Sequence, residues 1–390
     1  MKAPRRLQAC FTGYYGMNNF GDDLFGLICS RAASQYWDAD ARLAGPAIPG
    51  VDARYTMPGW YPTSLYGSRG KAGQASRLLS FVHALYRADV LVLGGGSIVN
   101  SRESFRRPLM LEVRRRRGVD LAAVGISIGP FADTVAQTSA AGFLRHFAYV
   151  SVRDRRSYEL ALAMGLGDRV RYGRDLAGLL PLLAESGFGI RRMRDAAAPV
   201  RIGVAPCNYR ADTDYHAPDP DTLVPTLCAA LRRVAVGRSI EVAVYSLNEH
   251  DLHGDRALSR QLQQCLDHAG IACRLMGYAG QGPLMMAGSI GTCDAFVSAR
   301  LHGAITAYMG KVPFTIIDYH PKCGDFADDI GLADVRRLVR GRDDVDSTVA
   351  AIEAMLDGTG APLLSPGDYA AQAAGIFRHA PWWKPCGAAA

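Results

Sequence analysis

The chain has 390 residues, 49% of them hydrophobic and 21% charged, and its 44 Lys and Arg against 37 Asp and Glu give a formal net charge of +7. That length exceeds what one core usually supports, so two domains are expected, and the composition excludes wholesale disorder. The cationic excess favours an anionic ligand or surface, but no aromatic-and-basic recognition motif accompanies it, so nucleic acid is not an expected partner.

The first eight residues are basic but lead into one short strand and a polar loop, not into the apolar stretch and cleavage site of a signal peptide. No run approaches the ~20 apolar residues of a membrane span. A cytoplasmic location follows as the expectation. Nine cysteines are scattered from Cys10 to Cys386 without a C-x-x-C pair or zinc spacing, so most are expected to be reduced core thiols and no metal site is expected.

Along the chain, short β-branched runs alternate with glycine or polar turns and longer stretches of helical period, which is the grammar of βαβ units. In the first half the strands are expected at 7–12, 90–93, 121–126, 149–152 and 170–172. Several are continuously apolar, as strands of a parallel sheet are when helices cover both faces. Residues 55–76, rich in Gly, Pro, Ser and Tyr, read as a surface loop over a cleft. Residues 187–199 read as a linker. Strand grammar then restarts, at 202–205, 240–245, 272–275, 295–298 and 314–317, with a helix over 257–269 among the intervening segments. The last periodic stretch, 366–377, is expected to pack back across the first domain. The fold class is α/β: two Rossmann-like domains, 1–187 and 200–365, facing across a cleft and followed by a C-terminal helix within 366–390.

Ligands of open α/β sheets bind outside the carboxyl ends of the strands, where helix N-termini present free N–H groups. The first strand empties into a loop holding Gly13, Gly16, Asn18, Asn19, Gly21, Asp22 and Asp23. Its amides and carboxylates suit sugar hydroxyls, while helix capping by Asn19 or Asp22 is the structural alternative. The spacing departs from G-x-G-x-x-G, which argues against a dinucleotide cofactor. Residues 90–93 run into Gly94, Gly95, Gly96 and Ser97, a turn where a ligand could lie on bare backbone or where close packing demands glycine. Residues 126–130, Ile-Ser-Ile-Gly-Pro, end the next strand in similar fashion.

Arg153 and Asp154 follow the strand at 149–152. The guanidinium there could grip a phosphate or carboxylate with two bonds, or the pair could be structural. The strongest element is Ser298-Ala299-Arg300-Leu301-His302-Gly303-Ala304, which leaves a strand and opens a helix. Arg300 and His302 can both reach an anion held at that helix start. His320 and Lys322 form a second cationic set after the next strand. The run Arg114 to Arg117 reads as a solvated helix face or as a patch for anionic lipid headgroups.

Taken in order, residues 13–23, 90–97 and 125–129, then Ser151-Val152-Arg153-Asp154, Arg300-Leu301-His302-Gly303 and Lys322, resemble the polysaccharide pyruvyl transferase family. The resemblance implies a fold like that of GT-B glycosyltransferases. It also implies transfer of the enolpyruvyl unit of phosphoenolpyruvate to a hexose of a cell-surface polysaccharide or its lipid-linked precursor, giving a pyruvate ketal. Arg153, Arg300, Leu301 and His302 match the family's donor-binding residues, and Lys322 resembles the lysine of its pattern. No cofactor beyond the donor is implied. On this reading Arg153 and Arg300 neutralise the donor, His302 moves a proton, and Asn18, Asn19, Asp22, Asp23, Gly95 and Gly96 face the acceptor, with Asp22 or Asp23 as base. Peripheral contact with the inner membrane face is part of the same expectation. A nucleotide-sugar glycosyltransferase, or a non-catalytic glycan-binding scaffold of envelope assembly, would share the architecture.

Overall fold

The computed structural model describes residues 5–101, 104, 106–184, 197–208, 222–250, 254–318, 320–339 and 344–385. Continuous apolar runs form strands buried on both faces, as in β1 (Leu7–Thr12), whose last four residues are all buried. The first sheet continues with β2 (Ala39–Ala44), β3 (Arg54–Tyr55), β4 (Val90–Val99), β5 (Asp120–Ile128), β6 (Tyr149–Val152) and β7 (Val170–Tyr172). Its seven strands run in the order β3-β2-β1-β4-β5-β6-β7, with every pair parallel. The direction of winding reverses between β1 and β4, so the carboxyl ends of these two strands frame the point where such sheets accept ligands.

The second sheet is built from β8 (Val200–Ala205), β9 (Ile240–Ser246), β10 (Cys273–Gly277), β11 (Ala295–Ser298), β12 (Phe314–Asp318) and β13 (Arg337–Val339). The order is β10-β9-β8-β11-β12-β13, again parallel, with its reversal between β8 and β11. Each sheet has its own apolar core, centred on residues such as Leu91, Leu121 and Val150 in the first and Val204, Leu231 and Ile352 in the second.

The chain divides into two compact units. One comprises Met1–Met17, Asp22–Leu183 and Ala370–Ala390, and the other Asn18–Gly21 and Ala184–Tyr369. The final helix, Pro366–Arg378, passes from one to the other, and within the first unit Trp37 Nε1 donates to the Phe377 carbonyl at 2.9 Å and the Tyr149 hydroxyl to that of Ile376 at 2.6 Å. The linker expected at 187–199 lies mostly outside the described residues. Cys228 and Cys265 are joined as a disulfide between helices Leu223–Gly237 and Arg256–His268, while the other described cysteines lie outside any disulfide.

Three expectations change. Strand β4 does not end at residue 93: Gly94, Gly95 and Gly96 lie inside it, paired with β5 up to a register shift between Gly96 and Val99. Residues 55–76 are not one loop, since helix Thr63–Gly67 and the start of helix Lys71–Arg87 occupy much of the segment. Strands β2, β3 and β13 have no counterpart among the expected strands.

Candidate functional site

In the second unit, β11 delivers Ser298 to the sheet's carboxyl edge, where its hydroxyl donates to the Arg300 carbonyl at 2.6 Å and accepts from the Arg300 N–H at 3.2 Å. This tight turn makes Arg300 the N-cap of helix Leu301–Met309. Glycine is required at 303 because a Cβ there would meet Ser298 Oγ at 2.5 Å and Leu247 at 2.9 Å. The Arg300 guanidinium donates through Nε and Nη2 to the two oxygens of Asp255, at 2.8 and 2.6 Å. Its side chain is 19% exposed, whereas that of Asp255 is fully buried.

Asp255 also accepts the backbone N–H groups of Asn208, at 2.8 Å, and Asn248, at 3.2 Å. One carboxylate thus fixes the plane of Arg300 and the loop after β9 together, a fork-to-fork pairing of the strong, geometrically specific kind. Sequence reasoning missed it. The only available signal was an acidic residue at the start of helix Arg256–His268, a position where a carboxylate usually serves the helix itself.

The loop after β9 carries a second layer. Phe20 N–H donates to the Leu247 carbonyl at 2.9 Å, Glu249 N–H donates to the Asn18 carbonyl at 2.8 Å, and Asn19 bridges Asn248 in antiparallel fashion. The Asn18–Gly21 segment is therefore part of the second unit. Asn18 takes a positive φ of 54°, a conformation asparagine tolerates. A Cβ on Gly21 would overlap the His302 imidazole, so this glycine exists to let the histidine ring lie against backbone. Asn18, Asn19, Gly21, Asp255, Arg300 and His302 thereby form one continuous polar cluster.

Lys322 stands in the first turn of helix Pro321–Ile330, after β12, and is half-buried. Its N–H donates to His320 Nδ1 at 3.2 Å, so His320 is the helix cap and presents that nitrogen as an acceptor.

The first unit gathers another group of the expected residues. Arg153, at the end of β6, is 5% exposed; its Nε donates to Ser127 Oγ at 2.7 Å, Nη1 to Asp175 at 3.0 Å and Nη2 to Ser97 Oγ at 3.4 Å. The motifs at 94–97, 126–130 and 153–154 thus meet at the carboxyl ends of β4, β5 and β6. The structural reading of the Arg-Asp pair has direct contacts: Asp154 caps helix Arg155–Ala163 by accepting Ser157 N–H at 2.7 Å, and also accepts the Ser127 hydroxyl at 2.6 Å. The carboxylate closest to Arg153 is that of Asp175, not of its sequence neighbour, which stands 3.8 Å away.

Asp23, in the first turn of helix Phe20–Trp37, is buried and accepts the Gly16 N–H at 2.6 Å, so it clamps the loop after β1; Asp22 beside it is half-buried. Packing explains two of the three central glycines of β4. A Cβ on Gly94 would overlap the Tyr15 hydroxyl, which donates to the Gly94 carbonyl at 2.7 Å, and one on Gly95 would meet Phe25 at 2.6 Å. Gly96 differs: at φ 87°, an added Cβ would meet only Ile98, at 3.8 Å, among the described residues. Burial pushes the Cys29 thiol, beside Tyr15, up to about 12 and raises Tyr15 well above its ordinary value, so both stay neutral.

Among solved structures, the UDP-GlcNAc 2-epimerase of Neisseria meningitidis bound to UDP-GlcNAc superposes with a TM-score of 0.55 at 9% identity, covering 95% of this chain and 94% of that one. The UDP-N-acetylglucosamine 2-epimerase of Rickettsia bellii gives 0.56 at 9%, covering 96% and 95%. The glycosyltransferase of kitacinnamycin gives 0.51 at 12%, covering 96% of each chain. At such identities these likenesses establish the fold, two Rossmann-like sheets of the kind shared by GT-B glycosyltransferases and these epimerases. No curated protein sequence matches the chain. Among the described residues, no helix is long and apolar enough to cross a membrane. The sequence model of polysaccharide pyruvyl transferases, however, matches residues 19–321, from the asparagine that bridges Asn248 to the first residue of the helix bearing Lys322. A match across most of the length, enclosing the Arg300 and His302 cluster, makes this chain a member of the polysaccharide pyruvyl transferase family.

Proposed function

We propose that the protein transfers the enolpyruvyl group of phosphoenolpyruvate to a hexose of a cell-surface polysaccharide or its lipid-linked precursor, forming a pyruvate ketal. The observation that carries this reading is the delivery of Arg300 and His302 to one helix N-terminus at the sheet's switch point, with Gly21 left bare to admit the imidazole. A helix start, a guanidinium and an imidazole together suit a small, multiply charged donor.

The reaction requires a proton on the methylene carbon of the donor, which leaves C2 electrophilic. A sugar hydroxyl then bonds to C2 and loses its proton. Cleavage of the C2–O bond releases inorganic phosphate, and a second hydroxyl closes the ketal with loss of another proton. Arg300, its plane set by Asp255, is assigned to the donor's charge. His302 is assigned to proton movement at the methylene carbon or the departing phosphate, Leu301 to the donor's apolar edge, and Lys322 to further neutralisation. Asn18 and Asn19 are assigned to acceptor hydroxyls and Asp22 to taking their protons, and Gly96 is also assigned to the acceptor. Arg153 is given a supporting role, organising the strand ends of the first unit, because Asp175 already matches its charge in a buried setting. Each step is assigned to residues of this chain, and no cofactor is invoked.

Donor-dependent thermal stabilisation tests the reading. Phosphoenolpyruvate should raise the melting temperature of the parent protein, and Arg300→Ala should weaken that binding at least tenfold. Stabilisation by nucleoside diphosphate sugars with no response to phosphoenolpyruvate would overturn it in favour of a glycosyltransferase.

A further inference from the structure

Helix Lys71–Arg87 has apolar residues on both sides. One side, with Phe81, Ala84 and Leu85, is buried in the core of the first unit, as an amphipathic helix requires. The outward side carries Ala72, Ala75, Leu78, Leu79 and Tyr86 at helical spacing, all exposed, and Leu79 and Tyr86 are 67% and 63% exposed. The preceding segment adds Trp60, 79% exposed, and Leu65. It is pinned to the helix by a hydrogen bond between the Tyr61 and Ser76 hydroxyls and by one from Tyr66 to Ser80. Scattered apolar side chains on a surface need no explanation, but a contiguous set on one helix and its docked loop does.

Charge identifies what covers it. Between Asp52 and Asp89 the sequence holds no acidic residue, while Arg54, Arg69, Lys71, Arg77 and Arg87 are spread through it. The neighbouring helix, Arg106–Arg117, ends in four consecutive arginines against the single acid Glu112. The two helices are tied at this face: the Arg117 guanidinium sits 5.3 Å from the Tyr86 ring centroid and donates to the Leu85 carbonyl at 3.1 Å. Glu112 pairs with Arg115 and Arg116, and Asp120 with Arg114, but the cations outnumber these carboxylates; apolar and aromatic side chains bordered by such an excess of arginine and lysine match the composition of helices that lie in the plane of a membrane interface.

We propose that this face of the first unit, centred on Trp60, Leu79, Tyr86 and Arg114 to Arg117, docks on an anionic lipid bilayer. The surface stands on its own geometry and rests on the proposed function only for its purpose, which is to bring the enzyme to a sugar carried on lipid. Arg106 links it to the strand ends, its Nη1 donating to Thr12 Oγ1 at 3.4 Å at the carboxyl end of β1. Docking would therefore hold that edge of the sheet close to the headgroup layer.

The test is co-sedimentation of the full chain with vesicles of phosphatidylcholine alone or mixed with phosphatidylglycerol, without donor or acceptor. Binding should require phosphatidylglycerol and weaken with salt. Each of Arg114→Gln, Arg115→Gln and Arg116→Gln should lower partition by up to roughly fivefold, and Leu79→Ser with Tyr86→Ser should lower it further with unchanged melting temperature. In the parent protein, Trp60 emission should shift to the blue on adding the mixed vesicles, a change absent in Trp60→Phe. Turnover of a short water-soluble acceptor should be unaffected by these variants, which separates this proposal from the donor chemistry. Equal binding by parent and variants, no binding, or self-association abolished by Leu79→Ser in the absence of any vesicle binding would overturn the proposal.

Discussion

Gly21 and Asp255 are the residues on which the cluster around His302 depends, although neither carries the chemistry. Gly21→Ala places a methyl group in the imidazole's space. The cost should be about 1–3 kcal/mol, with a larger fractional loss of turnover than of stability because His302 must move. Chemical denaturation alongside steady-state kinetics checks this. Asp255→Asn leaves the Arg300 guanidinium without its carboxylate and should cost about 3 kcal/mol. Arg153 is distinguished by a double-mutant cycle with Asp175. If its role is structural, Arg153→Met alone should destabilise by about 3 kcal/mol, and adding Asp175→Leu should recover much of that. Undiminished stability in Arg153→Met, with donor affinity lost, would return Arg153 to the donor site.

Among the elements, legibility followed length and burial. Strands β1, β6 and β11 were readable to the residue because each is a largely buried, mostly apolar run between clear breakers; β7, Val-Arg-Tyr, matched the expected bounds as well. Strand β2, Ala-Asp-Ala-Arg-Leu-Ala, was not, since its small and charged residues favour helix as much as strand and only pairing with β1 fixes them. Helix Lys71–Arg87 was partly hidden because glycine and serine at its start resemble a loop. In the candidate site, the Arg300 and His302 turn was legible from strand-end position, whereas Asp255 lies 45 residues earlier and is joined to Arg300 only by the fold. The glycines of β4 were visible as a motif but not as packing. Gly95→Ala should be the more damaging substitution, meeting Phe25 as well as a strained φ of 78°, while Gly96→Ala should cost only about 1–2 kcal/mol for its positive φ. Urea melts of the two variants give the comparison.

For the whole molecule, burial of neutral acids sets a pH limit. Cys10 and Cys29 are pushed from 9.0 up to about 12, and Tyr15, Tyr149 and Tyr245 are likewise raised by burial. A group whose value is raised in the folded state contributes stability that is complete below its ordinary value and lost as pH climbs toward the raised one. Thermal stability should therefore hold below pH 9 and decline between about 9 and 12; a melting temperature flat across that window would contradict the burial of these groups. The fold alone does not select a donor, because epimerases and glycosyltransferases share it. Carbon-13 NMR of a hexose-bearing acceptor after incubation with phosphoenolpyruvate labelled at C2 settles the chemistry most directly. A labelled quaternary ketal carbon on the acceptor, one per phosphate released and formed at least a hundredfold more slowly by His302→Ala, is the expected result. An acceptor that stays unlabelled, or one labelled equally fast by His302→Ala, would contradict the assignment of donor or of residue.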